Sequence, residues 1–319
     1  MTMEQRPFGR FGGVSALTLG GGGLGQLWGK TTREECVSTA REAVDTLVSL
    51  LDMAPSYGDG EAERVIGEAF EGRIPEGVRV TTKCRLGNAP PEKVYDVLRA
   101  SLEGSLQRMQ LERVDLFFIH TMIVDGPGDE RATPRTTLAE AAAPAFARLK
   151  EEGLIRGWGL TGIGHPDTLI GVLREGPRPD VIQVVANLLD SPGGLKRFDS
   201  PARPRAIMEA ARAAGVPIMG IRAVQAGALT DGFDRDMPHE RPDWADYERA
   251  APFRAIAAEV GRSPAFLAHQ YALSLAGIST VVLGVKNRTE LRECVEAMEE
   301  GYMEPALMER IDLAVGREG

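Results

Sequence analysis

The chain has 319 residues, a formal charge of −9 at neutral pH, 43% hydrophobic and 26% charged residues, three cysteines and four histidines. That balance is the one of a globular protein; it argues against a nucleic-acid partner, which would need Lys and Arg gathered on one face, and no apolar run approaches the roughly 20 residues that span a bilayer. Cys36, Cys84 and Cys294 are far apart and form no C-x-x-C pair, and the opening MTMEQRPFGRFGG has no apolar core, so free thiols, no secretory signal and a cytoplasmic location are expected.

In chain order, short β-branched or apolar runs alternate with stretches of helical spacing. Strands are expected over 14–19, 47–52, 78–83, 114–120, 155–160, 181–186, 217–221 and 279–283. The first helix is announced by Thr32 with Glu35 three residues on, a capping box. Further helices are expected over 62–70, 91–109, 137–152, 166–173, 204–214, 263–275 and 289–298, with an extra one over 246–260. Eight such alternations predict a closed α/β architecture, a (β/α)8 TIM barrel formed as a single domain over 1–319.

An open doubly wound sheet is the alternative, because Gly20, Gly22 and Gly25 spell G-x-G-x-x-G after a strand. In that fingerprint the helix starts at the glycines, whereas here the first helical signal comes only at Thr32, so the glycines read as a strand-end loop open to close backbone approach. The irregular stretches 121–136, 188–203 and 230–246 each follow a strand end. On a barrel they would wall a pocket at the C-terminal face.

Four polar residues end, or closely follow, consecutive apolar strands: Asp52 and Tyr57 after the second, Lys83 at the third, His120 at the fourth. Singly, each has a bland structural reading as a cap, a rim aromatic, a snorkelling cation or a core imidazole. Together at one barrel mouth they form a set able to tune one another's proton affinity. A phenol is a poor acid at neutral pH until an ammonium stabilises the phenolate; Lys83 would do this, Asp52 would orient Lys83, and His120 would bind a carbonyl oxygen or join the proton path. Protonating a carbonyl oxygen matches hydride delivery to its carbon, and side chains supply no hydride, so a nicotinamide cofactor is implied.

The runs 52–58 (DMAPSYG) with 61–67, Thr82-Lys83 and 115–120 (DLFFIH) resemble the aldo-keto reductase signatures in kind and order. The resemblance continues through 155–160, Gln183 with Asn187, 227–229 and 283–286, nearly the whole chain. It implies that Asp52, Tyr57, Lys83 and His120 form the catalytic set, with Tyr57 as acid or base. It also implies that Gly21, Gly22 and Asp52 border the nicotinamide ribose, Gln183 binds the carboxamide, and Gly227 and Leu229 run along the pyrophosphate. Gly284, Lys286, Arg288 and Glu293 would lie toward the adenosine. Thr161-Gly162 stands where the family carries Ser-Asn, Ile221-Arg222 where it carries a stacking aromatic, and Glu293-Cys294 where it carries Glu-Asn; Thr161, Ile221 and Arg222 are therefore expected at the cofactor in altered form.

Lys286 and Arg288 favour a 2′-phosphate and Glu290 a free 2′-hydroxyl, so the residues divide, and the resemblance to the family implies NADP, with NAD the other possibility. Trp28 is a candidate wall of the substrate pocket, and the stretch 24–28 is similar to the aldose and pyridoxal dehydrogenase branch, which runs as an oxidation. The expected partner is a small-molecule carbonyl or alcohol. Cys84, next to Lys83 on a strand, should face the opposite way and serve packing. His165, His239 and His269 lack ligand spacing, so no metal is expected. Two other readings compete: a Schiff-base lyase using Lys83, and a cofactor-binding regulatory barrel with little turnover.

Overall fold

In the computed structural model, which describes residues 3–317, eight parallel strands pair in sequence order and close into a barrel. They are β1 (Leu17–Gly20), β2 (Leu50–Asp52), β3 (Arg79–Cys84), β4 (Val114–Ile119), β5 (Ile155–Thr161), β6 (Val181–Val185), β7 (Ile218–Ile221) and β8 (Ile278–Leu283). β8 returns to β1 through Val281↔Leu17, Val282↔Thr18 and Leu283↔Leu19. Helices on the outside bury the outward-facing residues of the strands, among them Leu51, Phe117, Ile119, Leu160, Ile182 and Val184.

Three expected elements differ in detail. The run 14–19 is divided: Gly13–Ser15 pairs antiparallel with Gln5–Pro7 as a hairpin, and β1 begins only at Leu17. Phe8 and Val14 of this hairpin are buried against Leu50, Leu116, Phe118, Val181 and Met219, the inward residues at the lower end of the strands, so the hairpin plugs the N-terminal end. The extra helix starts earlier, at Pro242, and breaks at Ala250 into Pro242–Arg249 and Ala251–Glu259; Pro252 cannot donate to the preceding turn, which ends the first piece. The 137–152 helix likewise contains a wide π-type turn, Leu138–Ala142, just before Pro144.

The glycines after β1 form one helical turn, Gly21–Leu24, and not the irregular loop expected, with Gly25 N–H donating to Gly21 O at 2.8 Å. Side chains would not fit here: a Cβ on Gly21 would lie 2.9 Å from the Tyr57 ring and one on Gly25 2.6 Å from the Tyr57 backbone. The stretch 121–136 is also more ordered than expected, since Met122–Val124 pairs with Ala132–Pro134.

Alternation along the strands decides what enters the barrel. On β3 it sends Arg79, Thr81 and Lys83 inward and Thr82 and Cys84 outward. Phe118 on β4 points in and leaves no room on β5, where a Cβ on Gly159 would strike its ring. Above this apolar layer the inward positions Asp52, Thr81, Lys83, Thr161 and Gln183 are polar and buried.

Candidate active site

Asp52 is the hub of this polar layer. One carboxylate oxygen accepts from Thr81 Oγ1 at 2.6 Å; the other accepts from Lys83 Nζ at 2.8 Å and from Gln183 Nε2 at 2.9 Å. Lys83 Nζ also donates to the Met53 carbonyl at 2.8 Å and lies 4.8 Å from the centroid of the Tyr57 ring. The Lys83 and Asp52 side chains are 0% and 2% exposed, so each charge depends on the other. Burial alone would lower the Lys83 pKa, but Asp52 and Tyr57 outweigh it and hold the ammonium protonated.

Tyr57 closes the turn that follows β2, its N–H donating to Ala54 O at 3.1 Å. Burial raises the phenol pKa, and the opposing pull of Lys83 does not cancel it, so Tyr57 is held as a protonated phenol. Lys83 therefore moderates the phenol without lowering it below its ordinary value. His120 meets Tyr57 edge to face, ring centroids 5.8 Å apart, and its Nδ1 is 3.4 Å from Ser56 Oγ. Burial, then Lys83 and Arg85, hold its pKa well below 6.5, which makes the imidazole neutral. A protonated phenol beside a buried ammonium and a neutral imidazole can deliver a proton to a carbonyl oxygen and hydrogen-bond that oxygen from a second side.

The residues expected at the cofactor divide into two groups. Thr161 and Gln183 join the hub, Thr161 Oγ1 donating to Gln183 Oε1 at 3.3 Å. Gly22 and Gly284 lie under the Trp28 indole, which thus borders the glycine turn, while Arg235 stacks over its ring at 5.0 Å. Ile221 ends β7, and Arg222 turns away with positive φ to bind Asp243 Oδ1 at 2.9 Å and Gln225 Oε1 at 2.7 Å. Gly227 has φ of +95°, suited to its tight turn, and Leu229 is buried. The second group, Lys286, Arg288 and Glu293, lies beyond β8, on the loop and in the helix Arg288–Glu299.

A match to the aldo/keto reductase family model over residues 16–315 takes in this whole arrangement. The chain belongs to the aldo/keto reductase family. It is 27% identical to L-galactose dehydrogenase of Arabidopsis thaliana over 301 residues, covering 93% of this chain and 89% of that protein. It is 26% identical to pyridoxal 4-dehydrogenase of Microbacterium luteolum over 324 residues, covering 92% of each. Among solved structures, a holo-form aldo-keto reductase from Bacillus halodurans superposes with a TM-score of 0.73 at 22% identity, covering 98% of this chain and 96% of that one, which supports the fold.

This aldo/keto reductase departs from the family pattern for visible reasons. At Gly162 a Cβ would press into the Gln183 carbonyl, to which Gly162 N–H donates at 2.7 Å, so the backbone fills the space an Asn side chain would need. Lys286 Nζ is bonded to Asp234 Oδ2 at 2.7 Å and to Glu290, while Arg288 forks onto Glu35 at 3.0 and 3.1 Å. The expected capping box is therefore half made: Thr32 Oγ1 accepts from Glu35 N–H at 3.2 Å, but the Glu35 carboxylate is spent on Arg288. Glu293 accepts from Ser263 Oγ, and Cys294 Sγ sits 3.6 Å from His269 Nε2. Sequence reading missed Thr81, Ser56, Asp234 and Glu35. Thr81 had a signal, two positions before Lys83 on the same strand face; Asp234, in an irregular stretch, had none. Cys84 is buried with its thiol pKa pushed up to about 11 by burial, as a packing residue should be. No cluster able to hold a metal and no helix long and apolar enough to cross a membrane exist among the described residues.

Proposed function

We propose that this protein is a cytosolic nicotinamide-dependent oxidoreductase that interconverts an alcohol or sugar hemiacetal with its carbonyl product, using Tyr57 as general acid and base. The observation carrying this is the convergence of Tyr57, His120 and the buried Lys83–Asp52 pair at one barrel mouth. A nicotinamide dinucleotide suits the residues present: a glycine turn without side chains beside Tyr57, an amide and a hydroxyl from Gln183 and Thr161, and backbone at Gly227 and Gly284 farther along. When bound, it would supply or accept the hydride at the substrate carbon.

Tyr57 gives its proton to the carbonyl oxygen in reduction and takes the hydroxyl proton in oxidation. Lys83 lowers the cost of the phenolate that reduction leaves behind, and Asp52, itself held by Thr81 and Gln183, keeps Lys83 aimed and charged. His120 offers Nε2–H to the substrate oxygen, the neutral tautomer being the one in which Ser56 donates to Nδ1. Trp28 gives the substrate an apolar wall. The dehydrogenase names of the two full-length relatives support the oxidative direction and a hydroxyl-bearing substrate such as an aldose.

For the cofactor we favour NAD over the NADP that the family resemblance implied. Lys286 is engaged by Asp234 and Glu290 and Arg288 by Glu35, and a 2′-phosphate would have to break these pairs in the presence of three carboxylates, whereas a 2′-hydroxyl can be accepted by Glu290. A Schiff-base role for Lys83 is disfavoured, because its ammonium is protonated and shares its hydrogen bonds between Asp52 and Met53 O. The test is absorbance at the nicotinamide band with NAD and NADP against a panel of aldoses, alcohols and aldehydes. Aldose-dependent NAD reduction is the expected result; no change with any substrate in either direction would favour the non-catalytic barrel, and borohydride trapping of Lys83 the lyase.

A further inference from the structure

At the opposite, N-terminal face of the barrel lies a groove of about 530 Å³, open to solvent, lined by Arg10, Phe11, Arg79, Arg113, Lys150 and Arg156 together with the turn into β5. Five of its lining side chains are cationic and none is acidic, in a chain whose overall charge is −9. The fold gathers them: Arg10 comes from the plugging hairpin, Arg79 begins β3, Arg113 precedes β4, and Arg156 lies at the start of β5. Lys150 ends the helix Ala143–Glu151 that leads into β5.

Two of these cations are fixed in place by backbone carbonyls. Arg79 donates to Phe11 O at 2.7 Å and Gly13 O at 2.8 Å, and Arg10 donates to Arg156 O. Among the described residues two carboxylates reach the group, and each also accepts a backbone N–H. Asp180 holds Arg10 at 2.6 Å and Trp158 N–H at 3.0 Å; Asp115 holds Arg156 at 3.3 Å and Val80 N–H at 2.9 Å. Arg113 and Lys150 form no ion pair among the described residues. Burial lowers the Arg79 pKa; Asp115 opposes this, and Arg156 adds a smaller lowering of its own.

We propose that this groove binds a small polyanion of the phosphate class, with two or more linked phosphoryl groups, on the face opposite the candidate active site. Planar guanidinium groups match phosphoryl oxygens in pairs, and cations spread along a groove suit a chain of phosphoryl groups better than a single one. The site is independent of the cofactor reading, since it shares no residue with it.

The test is calorimetric titration of the full chain with inorganic triphosphate at two salt concentrations, with and without saturating NAD, and repeated on the Arg113→Glu/Lys150→Glu variant, whose altered residues are exposed. The expected result is binding that weakens with salt, is unaffected by NAD, and falls by at least ~10-fold in the variant while its turnover and melting temperature stay unchanged. Absence of binding, equal affinity in the variant, or displacement of triphosphate by NAD would each overturn the proposal. An Arg113→Ala variant, if it bound triphosphate as tightly as the parent while Lys150→Ala did too, would do so as well.

Discussion

Two lysines in this molecule are each held by carboxylates, and they differ in almost everything else. Lys83 and Asp52 sit on neighbouring strands inside the barrel at 0% and 2% exposure; Gln183 shares the Asp52 oxygen that Lys83 uses, and Thr81 takes the other. Lys286 bridges Asp234 and Glu290 at 15%, 38% and 33% exposure, on a loop and a helix start. The first pair cannot lose a member without leaving a buried charge; the second exchanges with water and ions at little cost. One is fixed by strand geometry beside the proposed proton donor, the other an adjustable contact at the edge of the proposed cofactor groove.

The sharpest way to break the comparison is at the group the inner pair serves. Tyr57→Phe removes the proton donor and keeps the ring, so turnover should fall by ~10²- to 10⁴-fold while cofactor affinity, read by fluorescence titration, stays near that of the parent. Turnover within a few-fold of the parent would remove Tyr57 from the chemistry. Lys83→Met should follow closely in effect but through stability as well: Asp52 keeps Thr81 and Gln183 yet loses its counter-charge, and urea unfolding should show a loss of about 3–5 kcal/mol. A loss below about 1 kcal/mol would mean that the inner pair behaves like the surface one.

The same contrast explains what could be read from the chain alone. Asp52, Lys83 and His120 were legible because each ends an apolar run, and strand alternation then sends them inward to one mouth; the barrel itself followed from eight such runs. Cys84 was legible by the same rule in reverse. The outer pairs were not, because Glu35 meets Arg288 across 253 positions and Asp234 reaches Lys286 from an irregular stretch, contacts that no local pattern encodes. The helical turn at Gly21–Leu24 escaped for a different reason: glycine is a poor helix former, and the turn exists because Tyr57 and Val285 press on it, a tertiary cause. The hairpin at 5–15 was absorbed into the first strand since Val14 and Leu17 share one apolar run, and only the plugging of the barrel by Phe8 and Val14 separates them.

The outer pair should give a smaller and more selective effect. Glu35→Gln with Glu290→Gln frees Arg288 and Lys286 without touching the mouth, so the ratio of kcat/KM for NADP over NAD should rise by about 10-fold, the equivalent of about 1.4 kcal/mol, with turnover on NAD little changed. An unchanged ratio would show that these carboxylates do not set the preference.

The smallest effect tests whether the neutral imidazole belongs to the inner set. The folded-state pKa of His120 lies well below 6.5, and that of buried His269 is also lowered, in both cases because burial disfavours the charged ring. As pH falls below about 6.5 the unfolded chain takes up protons at these histidines before the folded one does, so stability is fully present above that value and declines beneath it. Each histidine contributes a slope of at most ~1.4 kcal/mol per pH unit until its folded-state pKa is reached. His120→Asn removes one of the two contributions, and urea midpoints taken between pH 7 and pH 5 should fall less steeply than in the parent, whereas carboxylates, titrating near pH 4, contribute alike to both proteins. A variant with the parent's slope would mean that His120 takes up its proton as readily in the folded protein as in the unfolded chain, and burial would then not be what keeps the imidazole neutral.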